Sequence, residues 1–127
     1  MPSTHLFEYA VIRVVPRVER EEFLNVGVIL YCRSQGFLQA RFALNEARLL
    51  FFSGELDLAE LRERFSAFER ICAGKAAGGP IGQLPIAERF RWLTATRSTV
   101  VQTSSVDPGL CDDAGETLER LFSQLVQ

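Results

Sequence analysis

The sequence predicts an α+β fold: an N-terminal antiparallel three-stranded meander plus a fourth strand, packed against about three helices. Three observations carry this expectation. The first 43 residues are rich in β-branched and aromatic side chains, in runs of strand length. The middle and C-terminal parts repeat apolar residues at three- and four-residue steps behind acidic caps. The whole chain is 127 residues long, 47% hydrophobic and 24% charged, which suits one core and one domain over residues 1–127.

The first strand is Phe7 to Val15 (FEYAVIRVV), stopped by Pro16. A charged turn, RVERE, leads into a second strand from Glu22 to Cys32. Ser34-Gln35-Gly36 then turns the chain into a third, Phe37 to Ala43. Placing Val15 opposite Phe23 and Arg33 opposite Phe37 sorts the meander into two faces, because side chains alternate along a strand. Ala10, Ile12, Val14, Leu24, Val26, Val28, Leu30, Cys32, Leu38, Ala40 and Phe42 make a wholly apolar face, the expected core side. Tyr9, Val11, Arg13, Asn25, Gly27, Ile29, Tyr31, Gln39 and Arg41 make a mixed face, expected to meet solvent.

Asn45 to Phe52 (NEARLLFF) suits either a short helix or a strand extension. Asp57 with Glu60 opens a helix to about Ala73, whose stripe is Leu58, Leu61, Phe65, Phe68 and Cys72. KAAGGPIG is expected to be a loop. Pro85 opens a short helix carrying Ile86, Ala87, Phe90 and Leu93. Ser98 to Ser104 reads as the fourth strand, and VDPGLCDD as a turn-rich loop. Asp113 and Glu116 cap a last helix with Leu118, Leu121, Phe122, Leu125 and Val126 on its apolar face.

Composition excludes several classes. Net charge is −2, where a domain devoted to duplex nucleic acid carries a basic surplus. Cys32, Cys72 and Cys111 are odd in number and widely spaced, as expected of reduced thiols in a cytoplasmic protein. The first two are expected in the core and Cys111 in an accessible loop. The N-terminus lacks a secretory pattern, and no apolar run reaches membrane-spanning length. His5 is the lone histidine, so a base-activated Ser or Cys nucleophile lacks its base. Cysteines and histidine do not cluster as zinc ligands, and AGKAAGGP lacks the Ser/Thr of a phosphate loop. Glu21 and Glu22 point to opposite sides of a strand, and Asp112-Asp113 is accounted for by helix capping. The expectation is therefore no catalytic residue, no cofactor and no metal, with the balance against an enzyme.

Arg13 and Asn25 are the informative residues. Each interrupts an apolar strand, and the register makes them direct neighbours. Arg41, Tyr9 and Tyr31 fall on the same expected face, with Arg17 and Arg20 in the turn at its end. Arginines, an amide and tyrosines on one face suit a partner protein, or an anion or single-stranded nucleic acid. The plainer alternative pairs these arginines with Glu19, Glu21, Glu22 and the acidic helices.

Tyr9 to Pro16 (YAVIRVVP), Arg20 to Leu30 (REEFLNVGVIL) and FRWL-x-x-x-RS-x-x-V from Phe90 to Val101 resemble the bacterial family catalogued as domain of unknown function 3037. The likeness covers nearly the whole chain, with R-x-x-P and N-V-G-V its more specific parts. Arg13, Pro16, Arg20, Asn25, Gly27 and Arg97 are the positions that match. The resemblance implies no catalytic residues. It implies an accessory or regulatory role, because members are often encoded beside a kinase of the HipA-like group. The expected function is a non-enzymatic cytoplasmic module that binds another protein. The alternative is a binder of a nucleotide, phosphate or single-stranded nucleic acid at the arginines.

Overall fold

The protein is described by a computed structural model covering residues 5–16, 22–95 and 99–126. Five strands are present: β1 (His5–Val14), β2 (Leu24–Cys32), β3 (Phe37–Phe42), β4 (Val101–Thr103) and β5 (Asp107–Cys111). The helices are α1 (Glu46–Phe52), α2 (Leu58–Ala73), the single turn α3 (Gly79–Gly82), α4 (Ile86–Leu93) and α5 (Ala114–Leu125). The segment NEARLLFF is thus helical, and its Asn45 Oδ1 accepts from the Arg48 amide at 3.0 Å. Asp57 and Asp113 do the same for α2 and α5, accepting from the amides of Glu60 (3.1 Å) and Glu116 (3.0 Å). The expected loop KAAGGPIG instead holds a 3₁₀ turn, Ala76–Gly78, and then α3.

The sheet is antiparallel in the order β3-β2-β1-β4, with β5 also alongside β1. β4 and β5 are two halves of one interrupted edge. At the interruption the Ser104 amide donates to the Val11 carbonyl and the Ser104 hydroxyl accepts from the Val11 amide, each at 2.8 Å. The expected fourth strand is therefore shorter than Ser98–Ser104, and most of the expected loop VDPGLCDD is strand. Pro108 fits there because an edge strand has an outer side where no amide is needed.

The first hairpin pairs Arg13 with Asn25 and Val14 with Leu24, as expected. Between Ile12 and Arg13 the register then slips, so that Ile12 faces Gly27 and Val26 is the extra residue of a bulge. A glycine is required here: a Cβ at Gly27 would lie 2.7 Å from the Arg41 carbonyl and 2.8 Å from the Phe42 ring. Beyond the bulge every β2 side chain changes face. Ile29 and Tyr31 join Ala10, Ile12, Val14, Leu38, Phe65, Phe68 and Phe90 in the core under α2 and α4. Val28, Leu30 and Cys32 instead join Phe7, Leu118, Leu121 and Phe122 under α5. The second hairpin also differs by one residue, pairing Cys32 with Phe37. The two shifts cancel for β3, whose Leu38, Ala40 and Phe42 stay on the α2 side.

The expectation of one core face and one solvated face is corrected: helices cover both. α5 is held at each end by a side chain from the sheet layer. Gln35, just after β2, donates to the Asp112 carbonyl at 2.9 Å and accepts from the Ala114 amide at 2.8 Å. Asn25, near the start of β2, donates to the Leu125 carbonyl at 3.2 Å. On the opposite face, Arg89 of α4 closes the end of α2 by donating to the carbonyls of Ile71 (2.9 Å) and Cys72 (2.7 Å). Gly74 follows at φ 79°, and a Cβ there would meet the Arg89 guanidinium at 2.9 Å.

Candidate functional site

Three strands bring Asn25, Arg13 and Gln102 into one cross-strand row, with Arg13 in the middle. The Arg13 guanidinium lies over the Phe23 ring, 4.1 Å from its centroid. Phe23 itself is 46% exposed and Leu125, at the end of α5, is 36% exposed. Arg13 is half-buried. Its Nε and the Oδ1 of Asn25 are both buried and without a hydrogen-bond partner among the described residues. Buried polar atoms are nearly always paired, so an unpaired donor next to an unpaired acceptor marks this row as unusual. Asn25 spends its amide nitrogen on α5, so it has a structural duty in addition to any binding role.

The other expected site residues are dispersed. Tyr31 is buried on the opposite face, its ring 5.3 Å from that of Phe90. Tyr9 shares the face of Arg13 but is half-buried against the α5 cluster, 6.0 Å from Phe7. Arg41 is engaged with α5: its Nε lies 3.1 Å from Glu119, and its guanidinium 4.8 Å from the Phe122 ring centroid. Arg17, Arg20 and Arg97 lie outside the described residues, as do Glu19 and Glu21. The aromatic–arginine platform is thus not assembled as expected, and the cluster that remains is Arg13, Asn25, Gln102 and Phe23. The same register that paired Arg13 with Asn25 put Phe23 on their face, a signal the sequence reading did not use. Gln102 needed the pairing of β4 with β1.

The thiols sit in apolar surroundings. Burial raises Cys72 to about 12, against an opposing pull from Arg89. Burial also raises Cys111, with Cys32 beside it adding to the effect. Cys111 is at the end of β5 and buried, not in an accessible loop as expected. Such thiols stay protonated at neutral pH, the opposite of an activated nucleophile. Among the described residues, no group of three or more His, Cys, Asp or Glu is placed to hold a metal, and no helix is long and apolar enough to cross a membrane. An apolar cleft of about 330 Å³ lies between α2, α4 and β4. Its one charged lining residue, Arg64, is already paired with Glu60 at 3.0 Å.

Fold and site together define an α+β domain whose antiparallel sheet is clad on both faces and ends in an arginine–aromatic cluster. The chain belongs to the family described as Protein of unknown function (DUF3037), which matches residues 9–126. No curated protein and no solved structure is detectably similar to it.

Proposed function

We propose that this chain is a cytoplasmic, non-enzymatic accessory module that binds another protein at the sheet end carrying Arg13, Phe23 and Asn25. A regulatory role beside a HipA-like kinase fits this reading. The observation that carries it is the Arg13 guanidinium held 4.1 Å above an exposed Phe23 ring. Arginine and aromatic side chains are enriched at protein interfaces and among their hot spots, and stacking fixes the long arginine before a partner arrives. The neighbouring end of α5 presents Leu125 as further apolar surface.

The second reading, an anion or single-stranded nucleic-acid binder, draws on the unspent Nε of Arg13. It is weaker. α5 terminates beside this row, and the negative end of a helix dipole opposes a phosphate. Stacking by Tyr31 and charge from Arg41 are both committed elsewhere.

The test is capture from the native host with tagged wild type, Arg13→Ala and Phe23→Ala, followed by affinity measurements on the captured partner at low and high salt. We expect a protein partner whose affinity falls at least about tenfold in both variants, or about 1.4 kcal/mol, with melting temperatures little changed. Binding that collapses with salt and responds to Arg13→Ala alone would favour the anion reading. Unchanged capture by both folded variants would remove this cluster from the function.

A further inference from the structure

The two edges of the sheet are finished differently. Along β4 and β5 the edge is short, interrupted at Ser104, and carries Pro108, features that keep a sheet edge from pairing with another chain. The β3 edge has no such guard. Its 6 residues, Phe37–Phe42, keep an unbroken register with β2 and include neither proline nor lysine. The Ala43 amide donates to the Val26 carbonyl at 2.8 Å, which sets the phase of the ladder. Phe37, Gln39 and Arg41 therefore bond inward to β2, and the backbone groups of Leu38, Ala40 and Phe42 point outward. β2 flanks β3 within the sheet, and α2 and α5 pack on its two faces. The outward groups have no partner among the described residues.

We propose that a second copy of this chain takes this edge, with β3 pairing antiparallel to β3 of its twin about a twofold axis through Ala40. In that register Ala40 meets Ala40, Leu38 meets Phe42, and Gln39 meets Arg41. The strand is complementary to itself in this alignment. Apolar side chains oppose each other on the α2 side, where Leu38 and Phe42 already face the core. On the α5 side the exposed Gln39 accepts from Arg41, which uses its Nε for Glu119 and whose other amino groups have no hydrogen-bond partner among the described residues. Centring the axis on Arg41 instead would set two guanidinium groups against each other, an unfavourable cross-strand pair. The interface is isologous, so each contact occurs twice and the two sheets become one. It lies on β3, away from the Arg13 cluster between β2 and β4, and its failure would leave the proposed binding role intact.

Sedimentation velocity across the micromolar range, with amide hydrogen exchange, tests this. The wild type should pass from monomer to dimer, and the amides of Leu38, Ala40 and Phe42 should gain protection as it does. Ala40→Pro removes an outward amide and no inward one, so the variant should fold and dimerise at least about tenfold more weakly. Gln39→Arg should also weaken the dimer about tenfold by facing Arg41 twice, most strongly at low salt, and Gln39→Glu should tighten it. If Ala40→Pro does not fold, the Gln39 pair of variants decides. A wild type that stays monomeric throughout would overturn the proposal, as would a dimer indifferent to both changes at Gln39.

Discussion

Cys72 shows how a single buried group ties the fold to solution conditions. It sits at the end of α2, where Arg89 donates to its backbone carbonyl, and burial raises its thiol from 9.0 to about 12. A thiol that ionises more easily in the unfolded chain contributes its full stabilisation while both states stay protonated and loses it progressively once the unfolded chain ionises first. The native state binds the extra proton between pH 9.0 and about 12, so this contribution is complete below pH 9.0 and fades as pH rises towards 12. Denaturant melts should therefore lose stability through that window by up to about 1.4 kcal/mol per pH unit. Cys72→Ala should flatten that part of the slope while lowering stability at neutral pH. A wild-type slope matching the variant's would show that the thiol is not so deeply held. The same burial predicts that thiol reagents reach Cys72 and Cys111 only after unfolding, although the sequence suggested an accessible Cys111.

Among the elements, β2 separates the two possible registers. The uninterrupted β2 expected from the sequence puts Ile29 opposite Tyr9 on the mixed face, the side expected to meet solvent. The bulge at Val26 puts it under α2 and α4 instead, fully buried with Ala10 and Tyr31. Ile29→Asn should then cost about 3 kcal/mol or more, because it removes apolar packing and buries an amide without partners. A cost below about 0.5 kcal/mol, usual for surface changes, would show that Ile29 meets solvent and is not packed under α2 and α4. The helices were easier to read. Asp57 and Asp113 each cap the helix that follows through the backbone three residues on, a local signal independent of the rest of the chain, and Asn45 does the same for α1, a segment the sequence left open between helix and strand.

Across the whole molecule, one sheet serves two cores. Phe68 fills the α2 side, stacked edge-on to Phe42, and Phe122 fills the α5 side beneath Arg41. Removing either ring should cost about 3–5 kcal/mol, a large part of the about 5–15 kcal/mol that stabilises a typical domain. Since β1 and β2 contribute to both cores, Phe68→Ala and Phe122→Ala should each shift a single unfolding transition seen alike by fluorescence and circular dichroism. A Phe122→Ala variant that loses α5 signal first and the sheet later would mean the two layers unfold separately.

The first three strands, α2, α4 and α5, the caps at Asp57 and Asp113 and the Arg13–Asn25 pairing were legible in the sequence because each rests on interactions within a few residues or across one hairpin. The α+β class followed from the same local patterns. The tertiary structure alone decided what the mixed face meets. α5 lies far along the chain, and only its docking buries Val28, Leu30 and Cys32, commits Arg41 to Glu119 and draws the Asn25 amide to Leu125. The bulge had one visible sign, Gly27, but a glycine in a strand does not say whether the register slips. The crowding that requires it comes from Arg41 and Phe42 on the neighbouring strand. β5 was missed because Asp107, Pro108 and Gly109 are poor strand formers, and they pair with β1 only because the sheet already offers an edge. Periodicity records which residues share a side; which partner covers that side is set by contacts between distant parts of the chain.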